Sequence, residues 1–434
     1  MLILNTSLII KKTLPFIFVL ASCICQAQNL IINNVNVIPI EGKEMLLKSQ
    51  TVHIKNGKIE RIAPYKKEQL YNSQTPVIDG TNKYLMPGMV DMHVHFPNEK
   101  EMPLQTFFNL NLAAGVTTLR SMRGEPRHLT LRDSIYKKLI LAPDLYISIS
   151  LPNDSTITDK DLEKFVKQSK KEGWDFIKYL SGLTPTLFYT TALLSKETGL
   201  KFAGHVYNQD LQTAIKANQA SVEHYQAILK EYRKDSLHFD EIISELKKRN
   251  IFVCPTLSFY YIWGMQYEAD DLKERNGMQY IKPQLESKWE KDYNDYYTKY
   301  STPEKNEERM KISVRTKKSL YDFGKLLKRM SDADVKLLLS PDESAFNVPG
   351  FAMAEEMKLY QQAGLSNYAI LKIVTYNAAC FFNKEAEWGS IGKNKKANLV
   401  LLDKNPLDDI ENIKTVNTVL LNGKVLKPEE LLKK

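Results

Sequence analysis

Cysteine is scarce in this chain, glycine-rich turns are missing, and no run is apolar enough for a mature membrane span. Four of 434 residues are Cys. Cys23 and Cys25 fall in or beside an N-terminal leader, which leaves Cys254 and Cys380 in apolar settings of the body. That excludes a disulfide framework and argues for buried thiols. No Gly-rich turn follows a strand pattern, so a dinucleotide fingerprint is absent. The 60 basic and 51 acidic residues leave a formal charge of +9. The excess sits in stretches such as KQSKKEGW and EYRKDS, without the basic-aromatic interleaving of a nucleic-acid surface. Histidine is scarce too, with seven in all, and where these seven fall is the most informative feature present. A hydrophobic content of 43% and a charged content of 26% are ordinary for a globular protein, and the length suits one large core plus a smaller domain.

Lys11 and Lys12 precede TLPFIFVLAS, a run too short to cross a bilayer as a mature helix. Residues 1–27 read as a secretory signal peptide. Leu20-Ala21-Ser22-Cys23 resembles a bacterial lipobox with Cys23 as the lipidated residue, while cleavage after Ala27 is the rival. Both stay open, so the expected location is periplasmic or secreted, or the outer membrane through a lipid anchor, the one membrane contact anticipated.

Residues 28–88 are rich in short β patterns, and 384–434 share that texture. Asn56-Gly57 and Asn422-Gly423 sit between alternating apolar residues as hairpin signals. Lone hairpins are marginal, so both chain ends are expected to build one small β-sandwich. Between them, in 89–383, strands alternate with amphipathic stretches. MVDMHVH, GVTTLRSM, DLYISIS, WDFIKYL, LKFAGHV, ASVEHY, IFVCPTL and VKLLLSPD are the strand patterns. The fold class is therefore α/β, a (β/α)8 TIM barrel with a sandwich domain; a doubly wound sheet is the alternative. Residues of about 258–311 form an aromatic, charged insertion after the seventh strand, readable as a lid over the site or as an exposed excursion.

Barrel active sites lie at the C-terminal ends of the strands. The first strand ends in His93 and His95, whose i, i+2 spacing puts both imidazoles on one face. The fourth carries Lys178, the fifth ends in His205, the sixth in His224 and the eighth in Asp342. Each has a plain structural reading alone: a hydrogen-bonded histidine, a snorkelling lysine, a helix-capping Asp. All six on one rim read as a metal site. Of the other histidines, His128 falls in a polar helix, His238 on a charged surface stretch and His53 in the sandwich.

MPGMVDMHVHF, GVTTLR, SVEHY, TYNAACFF and EWGSIGKNKKANLVLLDKNPLDDI together resemble the amidohydrolase superfamily, especially its imidazolonepropionase-like and Xaa-Pro or Xaa-Arg dipeptidase (prolidase-like) branch. The resemblance covers nearly the whole mature chain. It implies two divalent metal ions, with zinc the first choice for such ligands and manganese or cobalt next. His93, His95 and Asp342 would hold the buried ion, and His205 and His224 the outer one. Lys178, N-carboxylated, would bridge them. A hydroxide between the ions would attack an amide, peptide or cyclic amide carbonyl, with Asp342 as general acid and base. SPDES stands where many relatives have Gly-Thr-Asp, and Tyr225 where Gly is usual.

For substrate contacts, Tyr207 shares strand parity with His205, and Arg120 and Arg123 would clamp a carboxylate; a structural ion pair is the alternative for the arginines. Tyr225 lies at the mouth or fills it. The expected partner is a small amide or dipeptide, with homo-oligomerisation left open. A one-metal deaminase of a cyclic substrate is a second reading, but it gives Lys178 no role. A catalytically inactive surface binding module is the third, but such chains tend to lose ligands.

Overall fold

The computed structural model describes residues 29–68, 71, 74–264, 269–298, 302–342 and 344–433. The leader with its lipobox at Cys23, and the cleavage point after Ala27, lie outside the described residues.

One sheet is made from both chain ends. Its strands are β1 (Leu30–Val37), β2 (Leu47–Lys55), β3 (Lys58–Pro64), β4 (Val77–Asp79) and β5 (Tyr84–Pro87) from the front. The far end adds three more, named below with the barrel strands between. The barrel strands are β6 (Met89–Val94), β7 (Val116–Ser121), β8 (Asp144–Ser150), β9 (Phe176–Tyr179), β10 (Lys201–Gly204), β11 (Ser221–Glu223) and β12 (Phe252–Cys254). The chain then returns through β13 (Leu399–Leu402), β14 (Val416–Leu421) and β15 (Lys424–Leu426). The end sheet runs β15-β14-β13-β5-β1-β2-β3, with β4 on β1.

Both hairpin signals are turns. Asn56, Gly57, Asn422 and Gly423 all have positive φ, the backbone that two-residue hairpins demand. The tips meet: Ala397 N–H donates to Gly57 O at 2.8 Å and Gly423 N–H to Ala397 O at 3.0 Å. A Cβ on Gly57 would lie 2.7 Å from Asn422 O. The sheet thus curls until its ends touch, enclosing Ile32, Val52, Ile54, Leu85, Leu399 and Leu420 as a sandwich core.

Gly88 alone separates β5 from β6. Strands β6 to β12 follow in sequence order as one parallel sheet. Every residue of β6, β7 and β9 is buried, as expected of strands covered on both faces. The expected eighth strand is shorter than its pattern. Residues 336–339 close the barrel through an isolated bridge, Val253 to Leu337, and a bond from Met92 N–H to Leu339 O at 3.2 Å. Two of its carbonyls are taken by side chains instead: Asn377 Nδ2 donates to Leu337 O and Tyr360 Oη to Leu338 O.

The insertion begins with a helix at Leu257–Gly264 and contains another at Pro283–Thr298. Its expected end at 311 falls inside one continuous helix, Pro303–Asp332, capped by Thr302. The second half of that helix buries Phe323, Leu326, Leu327 and Met330, while Met310 and Val314 of the first half, and Tyr321 just past its middle, stay exposed. One helix therefore leaves the barrel wall and extends past it.

Candidate metal centre

The strand ends converge. His93 lies within β6 and His95 one residue past it, with rings 5.4 Å apart. His205 follows β10 directly, and His224 follows β11. Ring centroids separate His93 from His224 by 5.0 Å and His205 from His224 by 4.9 Å. Asp342 closes the ring: its carboxylate oxygens lie 3.6 Å from His95 Nε2, 3.9 Å from His93 Nε2 and 3.8 Å from His224 Nδ1.

Three of the imidazoles have one nitrogen occupied. His93 Nδ1 is 2.8 Å from Glu223 Oε2, His205 Nδ1 3.1 Å from Leu180 O, and His224 Nδ1 2.7 Å from Thr256 Oγ1. The Glu223 carboxylate and the Leu180 carbonyl can only accept, so they put the proton of His93 and His205 on Nδ1 and leave Nε2 with a free lone pair, whereas the Thr256 hydroxyl can serve His224 either way. With each Nδ1 as donor, the Nε2 lone pairs of His205 and His224 face each other at 3.1 Å. Two bare lone pairs at that distance repel, and either a proton on one ring or a cation near both relieves them.

Backbone strain gathers at this rim. His224, Thr256 and Asp342 all have positive φ, which costs on the order of 1–3 kcal/mol each in a non-glycine residue and persists only where the surroundings hold it. For Asp342 the hold is visible. Its N–H donates to Ser340 Oγ, Ser340 Oγ donates to Asp91 and His93 O, and Asn347 Nδ2 donates to Pro341 O and Asp342 O. Beside His205, Gly204 is required: a Cβ there would lie 2.2 Å from Tyr179 O.

Lys178, in β9, is fully buried, and its Nζ has no hydrogen-bond partner among the described residues. Burial pulls its pKa down to about 8, against the opposing pull of Glu223 and Asp342. Its charge in turn helps depress the titration of all four histidines, after burial, the largest cause; His95 falls to about 3 and His205 to about 4. The four imidazoles are thus neutral at ordinary pH. Neutral imidazoles, one carboxylate and an amine without a partner form a donor set that fits divalent ions; His93, His95 and Asp342 bring ligand atoms within 4.8 Å of one another.

The substrate candidates separate. Arg120 is fully buried on the barrel floor. Its Nη2 donates to both Glu223 oxygens at 2.8 and 2.9 Å, Nη1 to Ser221 Oγ at 3.1 Å and Nε to Met92 O, and the guanidinium lies over the rings of Phe176 and Phe381. Its fork is occupied by a structural ion pair, not offered to a substrate. Arg123 is exposed at the rim, near enough to His95 to lower that residue's pKa. Tyr225 packs into the core against Tyr260 and Phe323, so it fills the wall and does not line the site. Tyr207 opens a short 3-10 turn after β10 has ended, with its ring 5.7 Å from Phe188; strand parity does not extend to it.

Sequence reasoning missed Glu223 and Thr256 as orienting groups. Glu223 was visible inside SVEHY, and Thr256 at the end of the one late strand without a ligand. His128 differs from its expected polar surrounding. It is buried, its ring 4.6 Å from that of Phe96. His238 is exposed and paired with Asp235, and Cys254 and Cys380 are free, buried thiols.

Comparison with known proteins agrees with this architecture. Dihydroorotase from Pediococcus pentosaceus is 27% identical over 181 residues, 39% of this chain and 41% of that protein, so the match spans under half of that relative. The structure of a Xaa-Pro dipeptidase with methionine in its active site superposes with a TM-score of 0.68 at 17% identity, covering 92% of this chain and 100% of that one. Molinate hydrolase gives 0.69 at 16% identity over 93% and 96%. At these identities the structural likeness shows a common fold. Residues 84–426, from β5 to the last strand, match the amidohydrolase family, and the chain belongs to that family.

Proposed function

We propose that this protein is a metal-dependent hydrolase of C–N bonds, acting on a small amide, dipeptide or cyclic amide. The observation that carries the reading is Lys178: a fully buried amine whose Nζ has no hydrogen-bond partner among the described residues, close enough to His93, His95, His205, His224 and Asp342 to interact electrostatically with each. Carboxylated by carbon dioxide, with its protons passing to solvent, that amine would become an anionic carbamate able to offer oxygen ligands to divalent ions. His93, His95 and Asp342 would hold one ion, His205 and His224 the other. Bound divalent ions, zinc first by ligand type, would supply Lewis acidity and lower the pKa of water towards ~7.

The chain's own residues do the rest. Asp342 accepts a proton from the attacking water and delivers it to the leaving nitrogen as the C–O bond forms and the C–N bond breaks. The strained backbone at Asp342, held by Ser340 and Asn347, keeps its carboxylate against the imidazoles. Glu223, fixed by Arg120 and Ser221, keeps His93 in one tautomer. Arg123 would hold a substrate carboxylate, a role its exposure and its nearness to His95 support. A one-metal deaminase leaves Lys178 unexplained, and a binding module leaves the strain at Asp342 without a purpose.

The test is hydrolysis of a panel of dipeptides, N-acyl amino acid amides and lactams by zinc-loaded full-length protein grown with bicarbonate. Release of free amine, abolished by a chelator and restored by zinc, is the expected result. No turnover across the panel by protein with both ions bound contradicts the reading.

A further inference from the structure

Beside the His93, His95 and Asp342 corner opens a cavity of about 320 Å³. Parts of the chain that play no role in the chemistry build its wall. Met102 and Phe107 come from the segment after β6, Val348 from the loop after Asp342, and Trp263, Leu285 and Trp289 from the insertion. Other aromatic rings brace the indoles: Trp263 stacks on Tyr293 at 5.9 Å, Trp289 lies 6.0 Å from Phe346, and Tyr293 meets Phe346 edge-on at 5.8 Å. The lid reading of the insertion therefore gains a specific content, because its helices complete a preformed apolar pocket next to the metal ligands.

Two further features point to a ligand. Asn111 Oδ1 and Ser344 Oγ, both on residues lining the cavity, are buried without a partner among the described residues; Asn111 Nδ2 is given to Phe107 O at 2.9 Å. A few polar atoms in a mostly apolar wall are what orient ligands in small-molecule pockets. Near the rim Lys288 is paired with Asp292 and lies 3.7 Å from Glu101, so one cation stands between two carboxylates and that cluster carries a net negative charge.

We propose that this cavity is the specificity pocket of the enzyme and selects a bulky, uncharged side group, aromatic or branched aliphatic, next to the scissile C–N bond. This deepens the hydrolase reading and rests on it for the word substrate, though not for the pocket itself. A small group leaves the apolar wall wet and forfeits its burial. An acidic group meets Glu101 and Asp292 as like charges.

The test uses zinc-loaded full-length protein and four matched probes, the N-acetyl amides of phenylalanine, leucine, alanine and aspartate. Binding is read by calorimetry, and kcat/KM by amine release. The phenylalanine and leucine probes are expected to bind about tenfold or more tightly than the alanine probe, with aspartate weakest. Ala345→Phe, which places a ring into the cavity, removes that preference, and Trp289→Ala reduces it. Affinities for phenylalanine and alanine within about threefold of each other, or a preference that survives Ala345→Phe, overturn the pocket. Preference in binding without hydrolysis keeps the pocket and sinks the hydrolase reading. Hydrolysis of all four probes without preference does the reverse, and binding of none overturns the pocket.

Discussion

At the scale of the residue, the centre depends on how each ligand is held. Asp342 sits at positive φ with its carboxylate against three imidazoles. Asp342→Asn keeps the shape and removes the proton acceptor, so kcat is expected to fall by about 10²–10⁴ while bound metal, measured by elemental analysis, largely remains. Full activity in that variant removes the assigned role. Glu223→Gln breaks two contacts at once. Arg120 loses its partner in a fully buried pair, a loss of about 3–5 kcal/mol of stability by denaturant titration. His93 loses its orienting carboxylate, and zinc affinity is expected to fall about 10–100-fold. The candidate ligands could be picked out because strand ends, read one by one, expose them: His-x-His parity, the lysine in an apolar strand and the Asp after Ser-Pro are all local signals. Arg120 was not, because nothing local tells a strand arginine facing the mouth from one facing the floor; its partner lies four strands away in the sheet. Tyr207 failed for the opposite reason, since parity was carried past the point where β10 stops.

At the scale of the element, the insertion is tied down by one carboxylate. Glu356, buried in the helix Ala352–Gln362, accepts from Leu257 N–H at 2.8 Å and from Ser258 N–H. Burial pushes its pKa from 4.5 up to about 8, with Asp91 and Asp342 adding to the rise. The folded chain therefore keeps a proton that the unfolded chain gives up. That contribution is full below about 4.5 and is lost as pH rises to about 8. At the same zinc loading, the urea midpoint of the native chain taken relative to that of Glu356→Gln should fall between about pH 5 and pH 8; parallel profiles contradict the assignment. The eighth strand and the insertion's end were the elements least legible in sequence. VKLLLSPD has the pattern of a full strand, yet Asn377 and Tyr360 take carbonyls that a ladder would use. The Pro303–Asp332 helix changes from exposed to buried along its length, and a composition boundary near 311 marks that change of surroundings without marking any break in the helix.

At the scale of the whole molecule, the chain ends meet in a curled sheet and the middle closes a barrel, and both were readable from spaced hairpin signals and eight alternating strand patterns. The cavity was not readable. It needs Met102, Trp289 and Val348 to come together from three distant stretches, and no local pattern announces that. The central claim is that six strand-end side chains hold two ions across Lys178, and zinc content of the dialysed full-length protein tests it most directly. The account predicts about two equivalents per chain in the native protein and one or fewer in Lys178→Ala. A stoichiometry that is the same with and without the lysine, or a native chain that retains none, contradicts it.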